Sequence, residues 1–423
     1  MRLSGMAAFA AWLVLGGLPS SARAADWPGW RGPARDGQVA GFVPPKAWPG
    51  QLRSLWSTDV GLGHASPVVV GERVFVHGRV EQEEVVTALS LADGKVLWRM
   101  SYPAPYTMNP AAFGHGPGPK STPLVAEGKL FTLGISGILS AFDAEKGALL
   151  WRQDLHSRFV QSSPLYGTAM SPILADHKLV VHLGGQDQGA LLAFDPETGK
   201  ELWSQPFDGP GYASPVIAEV AGVKQLVTQS QRFLVGVALA DGALLWQLPF
   251  TTEYVQNIVT PLVVGDVVYY SGLDKGLMAA RITRVENEKG RSHWSLAPLW
   301  ANESVPLYMS SPVLAAGQLC GLSHKRKGQL FCVDPKDGRL AWSTPGRDGE
   351  NAALEVAGDL LLALTDDASL IVARAGGAAY QELARYKAGQ AATWAHPVVI
   401  GNRILVRSVK DLTLWQLEVK RRS

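Results

Sequence analysis

The stretch Leu191–Trp203 reads LLAFDPETGKELW, and close variants of it recur along the chain. VTALSLADGKVLW ends at Trp98, LSAFDAEKGALLW at Trp151 and LVGVALADGALLW at Trp246, with shorter echoes ending at Trp300 (APLW) and Trp342 (FCVDPKDGRLAW). A second phrase accompanies the first: ASPVVV around Pro67, STPLVA around Pro123, MSPILA around Pro172, ASPVIA around Pro215, VTPLVV around Pro261, SSPVLA around Pro312 and AHPVVI around Pro397. The first six prolines lie 56, 49, 43, 46 and 51 residues apart; the last gap, of 85, holds two periods. Its extra copy is NAALEVAGDLLLALTDDASLIVARAGG, where Leu354 stands in place of proline.

Each unit reads as four short strands. Ser-Pro-Val-Val-Val is the first, with proline at its start, where no ladder donor is needed. Arg73–His77, Val85–Leu91 and Val96–Arg99 follow as the second, third and fourth. Short strands and Gly-rich turns at a period near 45 residues predict an all-β chain, a single eight-bladed β-propeller of four-stranded antiparallel blades. The last unit runs out before its fourth strand, and Ser54-Leu55-Trp56 carries a fourth-strand ending with no strands before it. An N-terminal strand near Trp56 is therefore expected to complete the last blade and close the ring, which removes exposed sheet edges.

The opening phrase then has a mechanical reading. Asp195 caps a turn through backbone N–H groups two and three residues on, Gly199 supplies the positive φ, and Trp203 is a flat wedge against a neighbouring blade. The same structural docking role is expected of Trp56, Trp98, Trp151, Trp246, Trp300 and Trp342.

Composition supports an exported globular protein. The 423 residues carry a formal charge of only +2, with 18% charged and 47% hydrophobic residues, 45 glycines and 27 prolines. No Lys/Arg block suggests a nucleic-acid surface. Arg2, the apolar run Met6–Leu18 and Ala22-Arg23-Ala24 read as a signal peptide over residues 1–24. The expected divisions are that signal peptide, an N-terminal extension over 25–53 with the segment WPGWRGP, and the propeller over 54–423. No cysteine follows the cleavage point to carry a lipid anchor, and no later segment has the apolar length to span a bilayer. A soluble periplasmic or secreted protein is the expectation.

The repeat Ala193-Phe194-Asp195 … Thr198-Gly199-Lys200 … Leu202-Trp203 resembles the tryptophan-docking repeat of pyrroloquinoline-quinone (PQQ) propellers, a superfamily that includes quinoprotein alcohol dehydrogenases and BamB. Asp26–Gly37, DWPGWRGPARDG, resembles exported PQQ-like repeat proteins of bacteria. The resemblance covers roughly residues 26–420. It implies a propeller, and for the dehydrogenase branch it implies PQQ with calcium, an aspartate base and a disulfide between adjacent cysteines. Here the two cysteines, Cys320 and Cys332, are not adjacent, and no calcium set can be matched to positions of this chain. Each lies six residues from Arg326, so a hairpin centred there would set them opposite each other, as a cross-strand disulfide or as two buried thiols.

Other motifs give no chemistry. In Gly114–Thr122, GHGPGPKST, Pro119 stands where a phosphate loop needs a glycine, and it has no N–H to offer. Gly184–Gly189, GGQDQG, lacks the spaced carboxylates of a calcium loop. Neither HExxH nor GxSxG occurs, so no catalytic or metal-ligating residue is assigned.

A ligand is expected at the mouth of the central channel, beside the first strands. Three or four positions before each proline stand His64, Lys120, Thr168, Tyr212, Asn257, Tyr308 and Trp394, with Glu350 and Asn351 in the degenerate copy. These positions differ from blade to blade where Ser/Thr-Pro does not, which suits a scaffold with variable binding loops. The loop Ser101–Lys120, with Tyr102, Tyr106, Asn109, Phe113 and His115, is expected to form a rim. The function that follows is an envelope module binding an unknown protein or small polar ligand. The alternative is a PQQ-dependent alcohol or sugar dehydrogenase with Lys120 or Glu350 among the cofactor contacts.

Overall fold

The computed structural model describes residues 26–159, 163–286 and 292–417; the signal-peptide reading of residues 1–24 lies outside them. Among the described residues there are eight four-stranded sheets, each an antiparallel meander. Blade 1 comprises Val68–Val70, Arg73–Val80, Glu83–Ser90 and Val96–Pro103, and blades 2 to 7 follow in chain order. Blade 8 takes three strands from the C-terminal end, Val398–Ile400, Arg403–Arg407 and Asp411–Gln416. Its outermost strand is Arg53–Asp59, which pairs antiparallel with Asp411–Gln416. No helix among the described residues is long and apolar enough to cross a membrane.

Burial follows from stacking blades face to face. In blade 3 every residue of the third strand, Gly189–Phe194, is buried, because both faces are covered by neighbours. The outermost strand, Glu201–Phe207, alternates between half-buried and exposed, the period-two pattern of a strand with one wet face. Between blades 2 and 3 the two inner faces interleave Phe131, Leu133 and Trp151 with Leu179, Val181 and Phe194. Each such side chain contributes about 1.5–3 kcal/mol on burial.

The repeated phrase works as a joint. The Asp195 Oδ1 accepts from the N–H groups of Glu197 (3.0 Å) and Thr198 (2.8 Å), and Gly199 has φ +69°. Trp203 pairs across strands with Ala193, as Trp98 does with Ala88 and Trp151 with Ala141. A small partner leaves room for the indole, and the ladder shifts register just beyond each of these alanines. Each indole then reaches the next blade: Trp56 donates to the Leu91 carbonyl, Trp98 to Ala144, Trp151 to Pro196, Trp203 to Leu239 and Trp300 to Pro335.

Two of the expected wedges differ. Trp246 donates to Gln225 Oε1 of its own blade at 2.6 Å, because blade 5 replaces the Asp–Gly turn with the long ladder of Leu277–Glu286 and Ser292–Asn302. Trp342 packs in one core cluster with blade 7 residues such as Leu361, Ala363 and Ile371 and meets the Tyr380 ring at 5.4 Å between centroids. Its cross-strand partner is Cys332, which is bonded to Cys320 across the same hairpin.

The Ser/Thr before each proline has a second role. The Ser66 N–H donates to Thr122 Oγ1, Thr122 to Ser171, Ser171 to Ser214, Ser214 to Thr260 and Thr260 to Ser311, each at 2.9–3.2 Å. The His396 N–H returns to Ser66 Oγ at 2.8 Å. These bonds tie inner strands around the channel and satisfy buried donors that would otherwise each cost about 1–3 kcal/mol. The degenerate copy, lacking Ser/Thr, reverses the sense: the Ala352 N–H donates to Ser310 Oγ.

The N-terminal extension is built into the channel. Trp27 forms an antiparallel bridge with Val69 of blade 1, and Gln38 a parallel bridge with Val356 of blade 7. Between them Arg31 Nη2 donates to the Pro312 carbonyl at 2.6 Å. Arg35 donates to the Pro172 and Ser171 carbonyls at 2.7 and 3.0 Å. The segment thus spans the ring, tying blades 3 and 6 as well as 1 and 7.

Candidate functional site

The loops before the first strands enclose a cavity of about 280 Å³. Five of the nine residues picked by their offset from proline line it: His64, Lys120, Tyr212, Tyr308 and Trp394. They are joined by Trp30, His115, Tyr166, Ser214, Gln256, Met309 and Ser311, among others. Trp30 comes from the N-terminal segment. Its indole N–H donates to Thr260 Oγ1, on the inner Ser/Thr ring, at 3.3 Å, and its ring meets His396 edge-on at 4.5 Å. The indole therefore closes the inner end of the cavity.

One wall is an aromatic arc held by edge contacts. His64 lies 4.8 Å from Trp394, His115 5.6 Å from Trp394 and 6.0 Å from Tyr166, and Tyr166 5.8 Å from Tyr212. His64 Nε2 is 2.8 Å from the His115 carbonyl, so it carries the proton and donates; Nδ1 is left as an acceptor. Burial pulls the His64 pKa down to about 3, so this imidazole is neutral at physiological pH. Burial, with the charge of Lys120 adding to it, also lowers His115. The Tyr212 hydroxyl accepts from the Tyr166 N–H at 3.2 Å, and burial raises its pKa.

Lys120 is the single cationic side chain on the cavity wall. Its Nζ donates to the Tyr166 carbonyl at 2.5 Å, and desolvation lowers its pKa to about 8. Two ammonium hydrogens remain for a ligand.

The other four picks serve elsewhere. Asn257 is fully buried and its Nδ2 donates to the carbonyls of Ser230, Gln231 and Phe250; it staples a turn. Thr168 is buried, with its N–H on the Ile135 carbonyl. Glu350 is exposed, and Asn351 faces a void of about 20 Å³ beside Met309 and Trp394. In the degenerate copy the backbone turns on the Asp366 carboxylate, which accepts from both of their N–H groups, and neither side chain is part of the cavity wall. The rim loop is also only partly at the mouth. His115 lines the cavity, Asn109 caps the short helix Pro110–His115, and Phe113 is 62% exposed. Tyr102 is buried, with its hydroxyl on Glu84 at 2.8 Å.

The donor chemistry does not match a calcium–PQQ pair. No carboxylate lines the cavity, whereas calcium is held chiefly by carboxylate and carbonyl oxygen. Among the described residues no group of three or more His, Cys, Asp or Glu is placed to hold a metal. The disulfide lies in the blade 6 hairpin and is not on the cavity wall.

Fold and site together define an eight-bladed propeller whose N-terminal segment crosses the ring and whose mouth holds a largely aromatic cavity. The chain belongs to the family described as outer membrane protein assembly factor BamB, whose model matches residues 81–344. It is 23% identical over 310 residues to outer membrane protein assembly factor BamB of Shewanella oneidensis, covering 68% of this chain and 69% of that one. It is also 29% identical over 166 residues to quinohemoprotein alcohol dehydrogenase ADH-IIG of Pseudomonas putida, covering 36% of this chain and 21% of the dehydrogenase. The solved structure of BamB from Moraxella catarrhalis superposes with a TM-score of 0.60 at 17% identity, over 88% of this chain and 99% of that one. That likeness is one of fold.

Proposed function

We propose that the protein is an exported, periplasmic or secreted, binding and scaffolding module of the cell envelope that recognises its ligand or protein partner at the mouth cavity. One observation carries this reading. The alike positions of the repeat, Ser/Thr-Pro and Asp-x-x-x-Gly-x-x-x-Trp, are consumed in holding the ring. The unlike positions His64, Lys120, Tyr212, Tyr308 and Trp394 converge on one concave, largely aromatic surface. Concave apolar sites with a few placed polar groups are where proteins bind ligands. Kinship with an outer-membrane assembly factor supports an envelope setting.

A dehydrogenase reading would require calcium and quinone at this mouth, and the lining residues supply no carboxylate for the metal. The test is purification from the native envelope of the wild type and of Lys120→Gln/Tyr212→Ala/Trp394→Ala. Loss of a specific co-purifying species from the triple variant is expected. Retention of every such species would refute the mouth as the recognition site.

A further inference from the structure

On the cavity wall itself the charge is one-sided: Lys120 is there and no carboxylate is. Arg31, Arg35 and Arg407 are buried in and beside the channel. None has a carboxylate hydrogen-bond partner. Arg31 and Arg35 rest on the carbonyls described above, and Arg407 donates to those of Ala65, His77 and Gly61 at 2.7, 2.7 and 3.1 Å. Carbonyls supply dipoles and no net charge, so the guanidinium charges stand. Lys120, on the wall itself, likewise has only a carbonyl partner. The buried carboxylates Glu84, Asp208, Asp348 and Glu355 all lie off the cavity wall; Glu84 is satisfied by His77, Tyr102 and the Ile135 N–H, and burial pushes Glu355 toward the protonated acid. Glu253 and Glu350 are exposed, where water screens them. Inside the low-dielectric ring the positive charges act at longer range.

We infer that the mouth cavity takes a small organic monoanion with a flat apolar body, such as a carboxylate on one or two fused rings, bound without a metal. Its charged group sits against Lys120 Nζ and its rings lie among Trp394, Tyr212 and Tyr308, over the Trp30 indole. The inference rests on the reading of the cavity as a binding site. A volume of about 280 Å³, the share of roughly nine waters in the liquid, accommodates a body of that size. Aromatic walls hold flat rings by offset and edge contacts, and a charge-assisted bond from an ammonium is about twice as strong as a neutral one.

The test uses two probes of one shape, 2-naphthaleneacetate and 2-naphthaleneacetamide, titrated calorimetrically at pH 7 in EDTA. The wild type is expected to bind the carboxylate at least about tenfold more tightly than the amide, a difference of about 1.4 kcal/mol. Lys120→Gln should bring the carboxylate down to the level of the amide, Lys120→Arg should keep the preference, and circular dichroism should show both variants folded. Equal affinity for the two probes in the wild type would overturn the anion while leaving the cavity a binding site. Binding of neither probe would overturn the anion inference, while the recognition reading is refuted separately, by retention of every co-purifying species in the triple variant. A requirement for added calcium would overturn the metal-free mode.

Discussion

Gly199→Ala tests the joint on which the ring is built, and Gly71→Ala is its internal control. Both glycines have positive φ, +69° and +60°, so in each case an added Cβ carries the left-handed penalty of about 1–2 kcal/mol. Their surroundings differ. A Cβ on Gly71 would meet nothing within 4 Å, whereas one on Gly199 would come within 2.7 Å of Cδ2 and Cε3 of Trp151. That ring is fastened from above by its own N–H on the Pro196 carbonyl and from behind by its ladder partner Ala141. It cannot retreat without breaking one of these, and overpacking of this kind costs a further 1–3 kcal/mol or so. The expected losses in urea unfolding are about 1–2 kcal/mol for Gly71→Ala and about 2–5 kcal/mol for Gly199→Ala. In a Trp151→Leu background the excess at Gly199 should vanish, because the clashing ring is gone. Equal costs at the two glycines, or an excess that survives loss of the indole, would refute the argument that Trp151 is wedged on the turn.

Three further outcomes follow from the same geometry. His64 is neutral in the fold, with a pKa near 3 against about 6.5 when unfolded. The unfolded chain therefore binds more protons, and stability falls as pH drops from about 6.5 toward 3; His182, lowered to about 4 by burial, acts with the same sign, and histidine resonances followed by NMR should show neither ring titrating between pH 5 and 8. Affinity for the carboxylate probe should fall as pH rises through about 8, where Lys120 loses its proton; the facing groups His64 and His115 are lowered by burial and Tyr212 is raised, and calorimetry from pH 6.5 to 9.5 checks this. Reducing Cys320–Cys332, which are 12 residues apart, should cost about 3 kcal/mol by the loop-entropy relation, measured as the difference between unfolding curves with and without dithiothreitol.

The ring was legible because it is written eight times over: one Asp–Gly–Trp phrase is weak, and its recurrence with Ser/Thr-Pro fixes strand number, blade number and the direction of the chain. A third of the cavity lining was legible for the same reason, since an offset from proline locates His64, Lys120, Tyr212, Tyr308 and Trp394 wherever the loop keeps the common path. The offset fails where a loop departs from that path. Asn257 turns inward to feed three carbonyls, and in the degenerate seventh copy Asp366 captures the backbone of Glu350 and Asn351. The plug was not legible as a plug, because residues 26–40 belong to no repeat and their partners, Pro312, Val356 and His396 among them, lie far along the chain. One signal was present: two tryptophans and two arginines packed among glycines in WPGWRGPAR are expensive side chains to leave unpartnered in an extension.

The most direct measurement of the central claim is a crystal structure of the protein purified from its native envelope. A bound molecule against Lys120 among Trp394, Tyr212 and Tyr308 is the expected result. Ordered water alone in that cavity, with the co-purified species bound at another surface, would contradict the account.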